Sequence, residues 1–269
     1  MGATATATSN EVARSPAVGW LGRAGLIARG VVYAVVGILA LKLALGDGGK
    51  AASQQGALKE IARQPFGKVL LVLLAGGLAG YALWRLIRAV VGHGREDQDS
   101  GFERIAALAS GIAYGLLCAT AIAILVGAGG GSGSPKQAAG GVLGWALGQE
   151  LVAAAGAVFV GVGLYQVFKG VTLRFLDTSK THEMNEAVEP AFATLGILGH
   201  VARGVVFGLI GYGLIKAAVD YDPKNAVGLD GALRRVEQAS YGPLLLGIVA
   251  GGFIMFALYS MADARYRKL

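Results

Sequence analysis

The chain is short of most of what a water-soluble catalytic domain uses. It holds one cysteine, Cys118, and three histidines, His93, His182 and His200. A single cysteine excludes a disulfide scaffold, and no histidine stands at ligand spacing from another metal-binding side chain, so no metal site is expected. His182-Glu183 lacks the second histidine of a zinc-protease helix. Charged residues make up 15% of the chain, against about 25% in soluble domains, which is too little to clothe a surface in water. Six prolines, and no glycine at every third position, exclude a collagen-like chain. The stretch 127–135 is glycine-rich but lacks the GK[ST] ending of a phosphate-binding loop, so it reads as a flexible linker. No nucleophile–base pair is visible either, and neither an enzyme nor a bound cofactor is expected.

Apolar residues and glycine are what the sequence has in excess. Hydrophobic residues account for 54% and there are 44 glycines, with a mean hydropathy of +0.57. Hydrophobicity at this level calls for lipid as solvent. Six stretches, 22–45, 67–88, 105–127, 142–168, 192–218 and 242–263, meet the need for about 20 mostly apolar residues to cross a bilayer core of about 30 Å. The polar–apolar alternation of barrel strands is absent. The residues up to Gly19 are polar, with no basic region leading into an apolar core, and read as a cytosolic tail and not a signal peptide.

The chain repeats itself. Arg29-Gly30-Val31-Val32-Tyr33 in the first span returns as Arg203-Gly204-Val205-Val206-Phe207 in the fifth, and Ser110-Gly111-Ile112-Ala113-Tyr114 in the third is a degenerate copy. Gly67, Gly148 and Gly242 open the even-numbered spans, each followed 17 residues later by an aromatic, Trp84, Tyr165 or Tyr259. Gly56-Ala57-Leu58 and Gly231-Ala232-Leu233 each begin 11 residues before such a glycine. The fold class expected is therefore all-α: a six-helix transmembrane bundle of three parallel two-helix repeats about a pseudo-threefold axis. The divisions are 1–19 for the tail, 20–95, 101–170 and 191–269 for the repeats, and 171–190 for a cytosolic loop. Gly30 with Ala34, Gly111 with Gly115, and Gly204 with Gly208 form small-xxx-small pairs at one repeat position, which lets helices approach closely in lipid.

Lysine and arginine set the orientation. Of the 24, 14 fall on the side holding both termini and the 89–104 and 169–191 loops, which favours cytoplasmic termini. On the other side, 56–63 and 232–236 read as short amphipathic helices in the interface. The net charge of +7 is dispersed over helix ends without interleaved aromatics. Nucleic acid is thus not an expected partner, whereas the bilayer and its anionic lipids are.

These residues carry a resemblance. The stretches Ala28-Arg29-Gly30-Val31-Val32-Tyr33 and Gly76-Gly77-Leu78-Ala79-Gly80-Tyr81-Ala82-Leu83-Trp84-Arg85, with the Gly56-Ala57-Leu58 loop, resemble bacterial membrane proteins with three tandem two-helix copies of domain of unknown function 1206. The resemblance covers 18–269, with Ser110 replacing the arginine in the middle copy. It implies a six-helix protein of the bacterial inner membrane and carries over no catalytic or binding residue.

Charges within the spans are the candidates for function. Arg29 and Lys42 are 13 residues apart, as are Arg203 and Lys216, or about 20 Å along a helix axis. Snorkelling of these side chains to the interface accounts for them as well as a polar interior does. The middle copy has Ser110 and Ala123 at those places and alone puts an acid, Glu150, just inside its second helix. Glu150 is a candidate to pair with one or both of Lys42 and Lys216, and Asp263 with Arg29 or Arg203; the other reading is fold-stabilising ion pairs or separate solvated side chains. His200, one turn from Arg203, is expected at the interface, and Cys118 is expected buried and inert. Two functions follow: a structural, interaction or lipid-associated module, which includes a partner membrane protein, or a transporter or channel for a small, anionic solute lined by Arg29 and Arg203.

Overall fold

The computed structural model describes residues 16–47, 52–91, 101–128 and 134–268, apart from the side chains of residues 102 and 103. Most of the polar tail and the 89–104 loop, and the centre of the 127–135 linker, lie outside them. Nine α-helices occur among the described residues: α1 (Pro16–Ala44), α2 (Gln54–Arg63), α3 (Gly67–Val91), α4 (Gly101–Leu125), α5 (Pro135–Leu143), α6 (Gly148–Val171), α7 (Val188–Val219), α8 (Leu229–Glu237) and α9 (Gly242–Tyr266). The six long ones, α1, α3, α4, α6, α7 and α9, are long and apolar enough to cross a membrane, with α4 counted from Arg104. Their surfaces expose many large apolar side chains, Ile38, Leu73, Leu116, Val158 and Leu164 among them, as a helix facing lipid requires. Proline stays out of the helix interiors. Pro16, Pro135, Pro190 and Pro243 lie in first turns, where the missing N–H has no intrahelical acceptor to lose.

The short helices α2, α5 and α8 are amphipathic or polar, and each starts 13 residues before the glycine that opens the following long helix. The helix α5 is not apparent from periodicity, because Gly140-Gly141 and a run of alanines blur its faces. A capping box marks it: Gln137 N–H donates to Ser134 Oγ and Ser134 N–H to Gln137 Oε1. The turns into α3 and α9 share one backbone conformation, which the turn into α6 does not adopt, Leu147 having φ of −116°. Phe66 and Tyr241 adopt φ of 59° and 60°, and the next residue is the opening glycine. A Cβ on Gly67, Gly148 or Gly242 would run into the carbonyl oxygen of Ile61, Val142 or Glu237 respectively. Gly242→Ala is accordingly expected to destabilise the protein by about 1–3 kcal/mol, read as a lower midpoint of unfolding in bicelles. An unchanged midpoint would contradict the clash. Phe66, Trp145 and Tyr241 stand exposed at these turns (84, 65 and 81%), where aromatic residues anchor a protein at the membrane–water interface.

The chain forms two compact units that cut across the repeats. The first takes the described residues of Met1–Val31, Leu58–Gly130 and Ser260–Leu269, and the second those of Val32–Ala57 and Gly131–Tyr259. In the first, α3 packs on α4, and in the second α6 packs on α7. Both contacts join the second helix of one copy to the first helix of the next.

Glycine makes these contacts close. In the second unit a Cβ on Gly156 would lie 2.8 Å from Gly211 O, one on Gly163 2.7 Å from Gly204 O, and one on Gly170 3.2 Å from Ile197 O. The three glycines are seven residues apart on α6, and form a seam against α7. Gly204 is part of it, 2.6 Å from Val167 Cγ2 by the same measure. In the first unit a Cβ on Gly111 would lie 2.8 Å from Leu86 Cδ2. Gly30 is buried. A Cβ on Gly115 or Gly208 would meet nothing within 4 Å, yet Gly208 still belongs to the seam, its N lying 2.9 Å from a Cβ placed on Gly163. One member of each pair faces the neighbouring helix, and the residue four positions on has turned about 40° away from it.

Candidate functional site

Two polar constructions hold the arginines of the repeated Arg-Gly-Val-Val motif, and they differ. In the first unit Arg29 Nε donates to Ser260 Oγ at 2.8 Å and Nη1 to the Tyr81 hydroxyl at 2.9 Å. Its Nη2 stands 3.8 Å from Asp263 Oδ2. Ser260 Oγ in turn donates a hydrogen bond to Leu26 O at 2.7 Å. Asp263 is wholly buried and also accepts from Arg267 Nη1 at 3.2 Å. Around this knot, Arg88 stacks 4.7 Å above the Trp84 ring, and Arg85 Nη2 donates to Ala106 O at 3.3 Å. Arg29 is thus closed off by a hydroxyl pair and a shared carboxylate, the arrangement that makes a buried cation tolerable.

In the second unit Arg203 has the same repeat position and none of these partners. Its guanidinium lies over three aromatic rings, Tyr33 at 5.2 Å, Phe207 at 5.3 Å and Phe256 at 4.3 Å. Phe256 is the repeat equivalent of Tyr81, without its hydroxyl. Arg203 Nε is sealed from solvent without a hydrogen-bond partner. Three π-faces stabilise the charge, but they leave the N–H groups unused.

Arg203 lines a cavity of about 620 Å³. Tyr33, Phe207 and Phe253 surround it at one end, and Leu151, Val152, Ala155 and Phe159 of α6 with Val206, Ile210 and Leu214 of α7 form the walls. Gln54, Pro135, Gly228 and Leu229 line it at the level of the short helices. There the first turns of α2, α5 and α8 meet: a Cβ on Gly228 would lie 3.0 Å from Pro135 Cγ, and Ala52 N–H donates to Asp230 Oδ1 at 2.9 Å. Leu214 follows Arg203 by 11 residues, so the cavity runs about 16 Å along α7. Its size is that of a small-molecule site, and its walls are apolar.

The remaining charged candidates are not brought together. Lys216 Nζ pairs with Asp220 Oδ2 at 3.3 Å, four residues along its own chain. Glu150 and Lys42 are exposed, and neither forms the expected pair. A local partner one turn away fixes fewer side-chain torsions than a bridge between helices, and Glu150 in the first turn of α6 already faces the positive end of the helix dipole. His200 is buried, not interfacial. Its Nδ1 stands 2.7 Å from Gly196 O, and its ring stacks on Phe175 at 5.1 Å and meets the edges of Phe256 and Tyr259. Cys118 is buried, with Sγ donating to Ala75 O at 3.3 Å. Among the described residues no group of histidine, cysteine and carboxylate side chains could hold a metal ion.

A nearly all-helical chain with six bilayer-length apolar helices in three tandem copies is a multi-pass membrane protein. Comparison with known families gives the particular one. Domain of Unknown Function DUF1206 matches three times in tandem, at residues 24–92, 105–173 and 198–267, and the chain belongs to that family. It is similar to an uncharacterised protein of Bacillus subtilis (strain 168), YxxB, with 34% identity over 251 residues that cover 92% of this chain and 90% of the relative. No solved structure matches it.

Proposed function

We propose that the protein is a structural, lipid-associated module of the bacterial cytoplasmic membrane, with both termini in the cytoplasm, and that its cavity holds the hydrocarbon chain of a lipid. The observation behind this reading is the cavity itself, about 16 Å long by helix rise and walled by aliphatic and aromatic side chains of α6 and α7. Water gains little in such a space, whereas an acyl chain makes dispersion contacts along its length. A solute path would call for a polar lining that includes both arginines. The cavity takes in Arg203 but not Arg29, whose donors are engaged by Ser260, Tyr81 and Asp263, so transport is the weaker reading. The basic excess on the side holding both termini supports the orientation.

The test is lipid retention. Purified from native membrane, the protein is expected to carry a lipid through detergent exchange, detected by native mass spectrometry. Ala155→Trp, which places an indole in the cavity, is expected to displace it at unchanged helicity. Equal lipid retention in the two proteins would overturn the reading.

A further inference from the structure

Resting on the lipid reading, the contrast between the two repeat-related arginines allows the ligand to be narrowed. We infer that the occupant is a single-chain anionic amphiphile whose oxyanion head, a carboxylate or phosphate, is held by Arg203 while its chain runs toward the short helices. Three observations converge. The five N–H donors of a guanidinium are fixed in a fork that suits an oxyanion, and at Arg203 none finds an acceptor among the described residues, with Nε sealed from solvent. Two of the three partners that hold Arg29, Tyr81 and Asp263, have no counterpart for it. Tyr81 is replaced by Phe256, and the repeat position of Asp263 holds Arg88 and Lys169 in the other copies. Lastly, this cation lines one end of the cavity while Trp145, Pro135 and Gly228 line it at the level of the short helices.

Each part of the ligand then meets its complement. An oxyanion at the Nη groups of Arg203 supplies acceptors there, with Nε beyond its reach, and cancels a charge that is otherwise costly at this depth. The three aromatic rings exclude water and strengthen that pairing. The cavity length, about 16 Å by helix rise, sets the reach of an extended chain from Arg203 to the short helices.

Binding of palmitate and of cetyl alcohol to the protein in nanodiscs tests this, with inorganic phosphate as a third probe. Each chain is brominated either at its terminal carbon or beside the head, and quenching of Trp145 fluorescence is read against Trp145→Phe. The acid is expected to bind about tenfold more tightly than the alcohol, the gain of a charge-assisted hydrogen-bonded pair. The terminally brominated acid should quench Trp145 more strongly than the proximally brominated one. Arg203→Met should erase the acid's advantage and leave the alcohol unchanged, and Arg203→Lys should retain part of it. Acid and alcohol binding equally to the unaltered protein would overturn the inference while leaving the lipid reading intact, and this comparison needs no variant. Binding of neither chain would overturn both. Stronger quenching by the proximal bromine would reverse the orientation and refute the assignment of the head to Arg203. Displacement of palmitate by inorganic phosphate at equal concentration would make the site one for a free anion and overturn the amphiphile.

Discussion

Replacing Asp263 by alanine is expected to lower the stability of the protein by about 3–5 kcal/mol, the range for removing one side of a buried ion pair. Asp263 is fully buried and stands 3.8 Å from Arg29 Nη2 and 3.2 Å from Arg267 Nη1. Its loss leaves two cations facing each other in a low-dielectric setting with no anion between them. The carboxylate does not act alone, because Ser260 and Tyr81 still accept from and pack against Arg29, and these bonds would set the loss toward the lower end of the range. Arg29→Met in the Asp263→Ala background should recover part of the deficit, since it removes one uncompensated charge together with its desolvation penalty. Unfolding by SDS or urea in bicelles measures both. Strictly additive losses for the two substitutions would show that the residues do not interact.

The second large effect belongs to the seam between α6 and α7. Gly204→Val is expected to destabilise by about 3 kcal/mol, at the upper end of overpacking. The added Cβ would lie 2.6 Å from Val167 Cγ2 and 2.7 Å from Gly163 O. A side chain can rotate aside, but a helix carbonyl cannot, so the two helices must move apart and lose the close contact that holds them in lipid. Gly208→Ala, four residues further on with open space around its Cβ, is the control and should stay within about 0.5 kcal/mol of the unaltered protein. Equal losses at the two positions would mean that glycine acts through helix propensity and not through packing.

Much of the architecture can be read without coordinates, for a physical reason. A bilayer asks for about 20 apolar residues in every span, and that demand is local, so the six helices show in any hydropathy window. The two flanking amphipathic helices, 54–63 and 229–237, show through their alternation of Leu, Ile and Val with charged residues. The middle one at 135–143 does not, because its signal is a cap and not a pattern. Packing is harder to read. Small residues four apart mark a helix face, yet a Cβ on Gly115 or Gly208 would point into open space, while the seam glycines 156, 163 and 170 recur every seven residues and are hidden among 44. The candidate site was legible in part. The identity of Arg29 and Arg203 as internal charges follows from the repeat, whereas their opposite surroundings do not.

Sequence by itself determined the solvent this chain requires, the number of its long helices, its threefold tandem repetition and its membership of the DUF1206 family, whereas the fourth long helix begins at Gly148 and not at 142. Each of these depends on composition or spacing along the chain. Tertiary structure alone decided that the second helix of one copy packs on the first helix of the next. It also decided that Asp263 reaches Arg29 from 234 residues away, and that Glu150 reaches neither lysine. It left one repeat-equivalent arginine closed by hydrogen bonds and the other open on an apolar cavity. Such outcomes turn on which way a side chain faces across a helix contact, a matter of a fraction of a helical turn that no spacing in one dimension specifies.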